Sequence, residues 1–266
     1  MDILSHTFSG LAIGATTINF SKKGPLYNCL TVLTCGLAAF FPDLDVITQW
    51  SGFDSVIGDW FNLNESGKVF YHQKRWFSHH AFFHSVWMAL LFSSVVFFIL
   101  KIHKRGLSAK EVLRRNKLIL ICALISYLIH VFEDMPTPSF VWGGVAFLFP
   151  SENYWGGKGY IWWWNNYDLF LIIISVFFLN VLLKCYALLA KVKTSLVASF
   201  LLAIGFILYL NQMLNRNYDF NYTGMKSHHE VWRINEDKSK QIQKDILGEK
   251  VFSIMEKLDN VIPFWF

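Results

Sequence analysis

The stretch AFFHSVWMALLFSSVVFFIL, residues 81–100, contains no Lys, Arg, Asp or Glu. A helix that crosses a bilayer needs about 20 mostly apolar residues, and a soluble domain would place charge at roughly a quarter of its positions. The rest of the chain agrees with this stretch, since its 266 residues are 54% hydrophobic, 18% aromatic and only 16% charged. Outward from 81–100, further apolar runs lie at 4–20, 28–41, 117–133, 168–189 and 195–213. The sequence therefore predicts an all-α, polytopic membrane helix bundle of about six spans. The first two runs are short and carry Ser, Thr and Gly, so they are expected to tilt little or to end within the headgroup layer.

The basic residues orient these spans. Lys22 and Lys23 follow the first, Lys101, Lys104, Arg105, Lys110, Arg114, Arg115 and Lys117 join the third to the fourth, and Lys184, Lys191 and Lys193 join the fifth to the sixth. Segments 42–80 and 134–167 hold only Lys68, Lys74, Arg75 and Lys158. Positive charge accumulates on the cytoplasmic side, so the two long loops and both ends of this sequence are expected outside. The net charge of +5 sits in these connections, which argues against a nucleic-acid partner. Trp142, Trp155, Trp162, Trp163 and Trp164 in the outer loops fit an interfacial aromatic belt, or a loop that dips to grip a lipid head.

Cys29, Cys35, Cys122 and Cys185 form no CxxC pair and read as small buried apolar residues. The start, Met1-Asp2, lacks a basic leader region, so the first apolar run is expected to be retained. After residue 213 the composition turns mixed-charge. Ile242, Ile246, Ile254 and Leu258 recur there at helical spacing. We divide the chain into a transmembrane catalytic domain, 1–213, and a C-terminal tail, 214–266. The tail is expected to form an amphipathic helix on the membrane surface or over the outer loops.

Ionisable residues within or beside spans are costly and tend to mark function. They occur at four places: His6 opens span one, Asp43 and Asp45 close span two, His79, His80 and His84 open span three, and His130, Glu133 and Asp134 close span four. The topology puts all four at the outer face, although His and Asp played no part in the charge count. His130 and Asp134 stand i,i+4 on one helix face, and His80 and His84 share that spacing. Taken singly, a His can be merely hydrogen-bonded, Pro42-Asp43 can be a turn, and His130–Asp134 can be an ion pair. Converging, these residues suit a divalent metal: zinc first, manganese or iron next, as one ion or two.

These residues resemble the YdjM-type family of membrane-bound metal-dependent hydrolases, LexA-regulated inner-membrane proteins of enteric bacteria. The family pattern is an early His, Pro-Asp-x-Asp, His-Arg-Gly-x-Thr-His-Ser, then His-x-x-x-Asp followed by Thr-Pro. The counterparts here are His6, Pro42-Asp43-Leu44-Asp45, a His-rich segment, and His130-Val131-Phe132-Glu133-Asp134 with Thr137-Pro138, all within residues 1–150. The third motif departs from the pattern. The stretch His79-His80-Ala81-Phe82-Phe83-His84-Ser85 keeps both His and the Ser but lacks Arg, Gly and Thr, whereas Arg75-Trp76-Phe77-Ser78-His79 keeps the Arg and puts Lys74 at the first His. The first alignment is preferred because His84-Ser85 leads directly into the span.

His-x-x-x-Asp is also similar to an element of zinc-dependent phospholipase C and P1 nuclease. Their later His-x-x-x-Glu has no counterpart here, since His228-His229-Glu230 has the wrong spacing. The resemblance implies a metal-dependent hydrolase of a bacterial inner membrane, and the site's expected place at headgroup depth on the outer face suggests a lipid-linked phosphoester as substrate. Metal ligands are expected from His6, Asp43, Asp45, His79, His84, His130 and Asp134. Asp43, Glu133 and Arg75 are candidates for the chemistry, with Arg75 or Lys74 placed to bind phosphate. Glu133 points away from the His130–Asp134 face, which weakens it as a base. Two rivals use the same residues: a bis-His haem or quinone electron carrier built on His84 and His130, and a metal-ion transporter. Haem needs no carboxylates, and a transporter site would lie near the midplane.

Overall fold

The computed structural model describes residues 3–71, 73, 78–136, 144–157, 167–215, 240–241, 244–245 and 247–259. Seven helices organise them: α1 (Ile3–Ile18), α2 (Pro25–Phe40), α3 (Val86–His103), α4 (Ala109–Asp134), α5 (Tyr167–Ala190), α6 (Ser195–Leu214) and α7 (Glu249–Asp259). No strand occurs among the described residues, where an isolated bridge pairs Val145 with Trp155. Five helical stretches are long and apolar enough to cross a membrane: Pro25–Gln49, Val86–His103, Ala109–Asp134, Asp168–Ala190 and Ser195–Leu214. The first expected span, α1, has only 16 residues. The protein is an all-α membrane bundle.

Local chemistry fixes the boundaries. Pro25 occupies the first turn of α2, where its missing N–H costs nothing. Ser85 caps α3 by accepting from the Met88 amide, and Ser108 with Glu111 forms a reciprocal capping box at the start of α4. Because of that box α4 begins at Ala109, eight residues before the expected span, and takes in the basic run. The Ser85 cap likewise moves the start of α3 from the expected 81 to Val86. His80 and His84 therefore do not share an α-helix. His84 ends a 3-10 turn, Phe82–His84, and His80 has a left-handed backbone with φ of 61°.

α1 and α2 form the tightest pair. A Cβ on Gly10 would lie 2.2 Å from the Cys35 carbonyl oxygen, and one on Gly14 would lie 2.7 Å from Val32 Cα. Two glycines four apart thus let the backbones touch, the close-packing device of membrane helices. At the basic end of the bundle, Asn19 donates to the Asn180 carbonyl at 3.1 Å, and Thr194 donates to Asn19 at 2.8 Å. Lys184 reaches the Ser21 carbonyl at 3.1 Å. These bonds tie the end of α1 to the α5–α6 connection. On the outside of the bundle, Phe98, Leu182 and Phe200 are exposed, as suits residues that face lipid.

The segment after α2 is more ordered than the long loop expected. It continues as a 3-10 helix, Phe41–Gln49, then a π-helical turn, Phe53–Gly58, and two short helical pieces, Asp59–Phe61 and Gly67–Tyr71. Residues 144–157 fold over the same end. The Ala146 amide donates to the His80 carbonyl at 2.8 Å, Val86 to Phe147 at 3.0 Å, and Gly157 to Met135 at 2.7 Å. Trp155 is about half exposed there, while Trp142, Trp162, Trp163 and Trp164 lie outside the described residues. In the tail, Ile254 on α7 is exposed and Phe252 is buried. Ile242 and Ile246 lie outside the described residues.

Candidate metal centre

Four segments deliver ionisable side chains to one end of the bundle. The first turns of α1 bring His6, the 3-10 continuation of α2 brings Asp43 and Asp45, the turn before α3 brings His79, His80 and His84, and the last turns of α4 bring His130, Glu133 and Asp134. His6, Asp45, His84 and His130 are completely buried, and Asp134, His80, Glu133 and Asp43 are nearly so.

Within this group, Asp43, His84, His130 and Asp134 each direct one donor atom at a common point. His130 Nε2 is 2.9 Å from Asp134 Oδ2 and 3.2 Å from His84 Nε2, and His84 Nε2 is 3.3 Å from the same Asp134 oxygen. Asp43 Oδ1 completes the set at 3.6 Å from His130 and 3.9 Å from His84. Donors held about 2.0–2.1 Å from a tetrahedral ion stand about 3.3–3.4 Å from one another, and the observed spacings straddle that value. The same closeness is unsuited to haem, since an iron between two axial imidazoles would keep their nitrogens about 4 Å apart. Two further groups overlap the first: His79, His80 and His84, and Asp43, Asp45 and His79.

The neighbours of these donors hold them in place. His130 Nδ1 is 2.6 Å from the Ala39 carbonyl and therefore donates, leaving Nε2 bare for a ligand role. Asp45 lies between two imidazoles, 2.9 Å from His79 Nδ1 and 3.2 Å from His84 Nδ1. His79 also stacks on Tyr71, with centroids 4.7 Å apart. His80 donates through Nδ1 to the Gly144 carbonyl at 2.8 Å, and its Nε2 is 3.7 Å from Asp134. Burial lowers the pKa of His84, but Asp45 and Asp134 outweigh it and carry the imidazole up to about 9. Burial and the adjacent His79 hold His80 well below its usual value.

His6 occupies a distinct place. Its Nε2 meets Asp134 Oδ1 at 3.0 Å, its Nδ1 meets Glu133 Oε2 at 2.8 Å, and its ring stacks on His130 at 3.8 Å. It reaches the outer oxygen of Asp134 and not the point where the four donors converge. Glu133 does point away from the His130–Asp134 face, toward α1, where Ser9 donates to its second oxygen at 2.5 Å. Arg75 and Lys74 lie outside the described residues, as do Thr137 and Pro138 of the fourth motif. Sequence reasoning left His80 out of the expected ligands and did not reach Ser9 or the Ala39 and Gly144 carbonyls. The i,i+4 spacing of His80 to His84 was the signal for the first.

The donor set fits a divalent ion. Among the described residues neither Asp43 nor Asp45 meets a Lys or Arg, and Asp43 Oδ2 is buried with no hydrogen-bond partner. A buried, unsatisfied polar atom costs about 1–3 kcal/mol, and more when charged, so a site crowded with carboxylates, one of them with a bare buried oxygen, suits a cation. Mixed His and Asp donors match zinc, manganese or iron. The arrangement could hold a metal ion. The family model described as YdjM inner membrane protein matches residues 1–218. No curated protein and no solved structure matches the chain, so the likeness to zinc-dependent phospholipase C and P1 nuclease rests on the His-x-x-x-Asp element alone.

Proposed function

The chain belongs to the YdjM inner membrane protein family, and from that membership and the buried His/Asp cluster we propose that it is a multi-pass, metal-dependent hydrolase of a lipid-linked phosphoester. The observation that carries this reading is the convergence of His84 Nε2, His130 Nε2, Asp134 Oδ2 and Asp43 Oδ1 on one point. These residues would hold the ion, zinc in the first instance. Bound there, it would supply a water whose pKa falls from 15.7 toward about 7, and it would polarise a phosphoryl oxygen.

The chain's own residues do the rest. Asp43 is the loosest of the four, at 3.6 and 3.9 Å from the imidazoles, and its Oδ2 has no other engagement. It is therefore the side chain placed to yield to an incoming oxygen or to take its proton. Glu133, engaged by His6 and Ser9, orients His6, which in turn fixes Asp134. With Asp45 and His79 set beside Asp43, a second ion is compatible with the same pocket. The basic connections favour an extracytoplasmic site, and its depth near a span end favours a lipid head as substrate.

Metal analysis of the purified protein beside His130→Ala and Asp134→Ala tests the ligand set. The wild type is expected to carry stoichiometric zinc or manganese and the variants little. Folded variants that keep the full load would remove the assignment. If metal is lost while phosphoester hydrolysis is unchanged, the enzymatic reading goes.

A further inference from the structure

Between α4 and α6, on the outer wall of the bundle, lies a groove of about 240 Å³ lined by Ile129, Phe132, Phe206, Tyr209, Leu210 and Met213, with Glu133 also on its wall. Both helices are long and apolar enough to cross a membrane, and Phe132 and Phe206 are about half exposed on the groove's rim. The groove therefore opens on the flank of two apolar, span-length helices.

We infer that this groove seats a hydrocarbon chain of a membrane lipid and steers its head toward the His/Asp cluster. Its position along the helices supports that role. Residues 129–133 are the last turns of α4 and 206–213 the last turns of α6, so the groove lies at the same end of the bundle as the cluster. Glu133 links the two places: it lines the groove and meets His6 at 2.8 Å, and His6 meets Asp134 at 3.0 Å. A carboxylate beside lipid is costly unless its oxygens are engaged. Both oxygens of Glu133 are taken, by His6 and by Ser9. The face it leaves to the groove is thus suited to a chain and not to a charged head. A second groove, between α5 and α6, provides a contrast. It is of similar size, about 310 Å³, and is lined by Leu171, Ser175, Leu179, Leu201, Ile204 and Leu208 among others, with no ionisable residue and no residue of the cluster.

This inference deepens the hydrolase reading, and the part about the head rests on it. The test separates the two by measuring lipid retention with no turnover. The full chain is reconstituted in nanodiscs of palmitoyl-oleoyl phosphatidylethanolamine, released into detergent, and weighed by native mass spectrometry. The wild type and Ile204→Trp, which fills the second groove, are expected to retain one lipid per chain. Leu210→Trp and Ile129→Trp, which fill the first, are expected to lose at least nine-tenths of it. If neither of these elutes as a single species, Leu210→Phe takes their place. A wild type that retains no lipid, retention equal across all variants, or loss with Ile204→Trp alone would each overturn the inference, as would a second copy of the chain found in place of the lipid. Metal load and hydrolysis of a water-soluble phosphoester are measured on the same samples. If hydrolysis is absent while lipid loss is selective, the enzyme reading fails and the groove stands.

Discussion

His6 Nδ1 and Glu133 Oε2 lie 2.8 Å apart, joining the first turns of α1 to the last turn of α4 across 127 positions of sequence. Through the other side of the imidazole the link continues to Asp134 at 3.0 Å. An anion outside the cluster thus holds a ring that holds a carboxylate inside it, and removing the anion should loosen the donor without deleting it.

Glu133→Leu is accordingly expected to weaken metal binding by about 10–100-fold, the usual cost of losing a partner that orients a ligand. Glu133→Gln, which still offers an oxygen to His6, should lose less. Competition against a chromophoric chelator measures both. Unchanged affinity in Glu133→Leu would show that His6 needs no help in holding Asp134.

Stripping the metal should lower the thermal midpoint, because an ion that binds only the folded chain adds about 2.7 kcal/mol at a hundredfold excess over Kd. Restoring zinc should return the midpoint, and His84→Ala should respond to neither treatment. The measurement is a thermal melt in detergent with and without chelator. A wild type indifferent to metal would count against a site shared by three segments.

Packing of α1 on α2 should be equally necessary. Gly10→Leu puts a Cβ 2.2 Å from the Cys35 oxygen, backbone that cannot step aside. Overpacking of this kind costs about 1–3 kcal/mol, and forcing the pair apart also shifts His6 relative to Asp43. Both lower thermal stability and lower metal load are expected. Gly24→Ala, where an added Cβ meets nothing within 4 Å, serves as the neutral control.

Tyr127 donates to the Phe83 carbonyl at 2.6 Å, pinning the turn that presents His84. Tyr127→Phe removes only the hydroxyl and leaves the carbonyl without this donor, a loss of about 0.5–1.5 kcal/mol. The expected result is a modest fall in melting temperature with the metal stoichiometry retained. A fall as large as that of His84→Ala would mean the hydroxyl does more than hold the turn.

The spans could be read from the sequence because hydropathy is a local property: 81–100 announces itself without knowledge of its neighbours. The same holds for Asp43, Asp45, His130 and Asp134, whose charge is conspicuous at the ends of apolar runs. What escaped the sequence depends on distant partners. His80 and His84 read as a helical pair until Ser85 is seen to cap α3 behind them. His80 gains its meaning from the Gly144 carbonyl, 64 positions away. Gly10 and Gly14 look like weak helix residues until Cys35 and Val32 arrive against them. The turns within 42–80 carry no period that a pattern search could detect.

The four converging donors come from residues 43, 84, 130 and 134, and this spread imposes an order on biogenesis. A nascent chain that has inserted only α1, α2 and α3 has the first two donors but lacks half the cage. The four-donor cage therefore forms only once α4 has arrived. A truncation before residue 130 should yield an inserted product that lacks this four-donor cage.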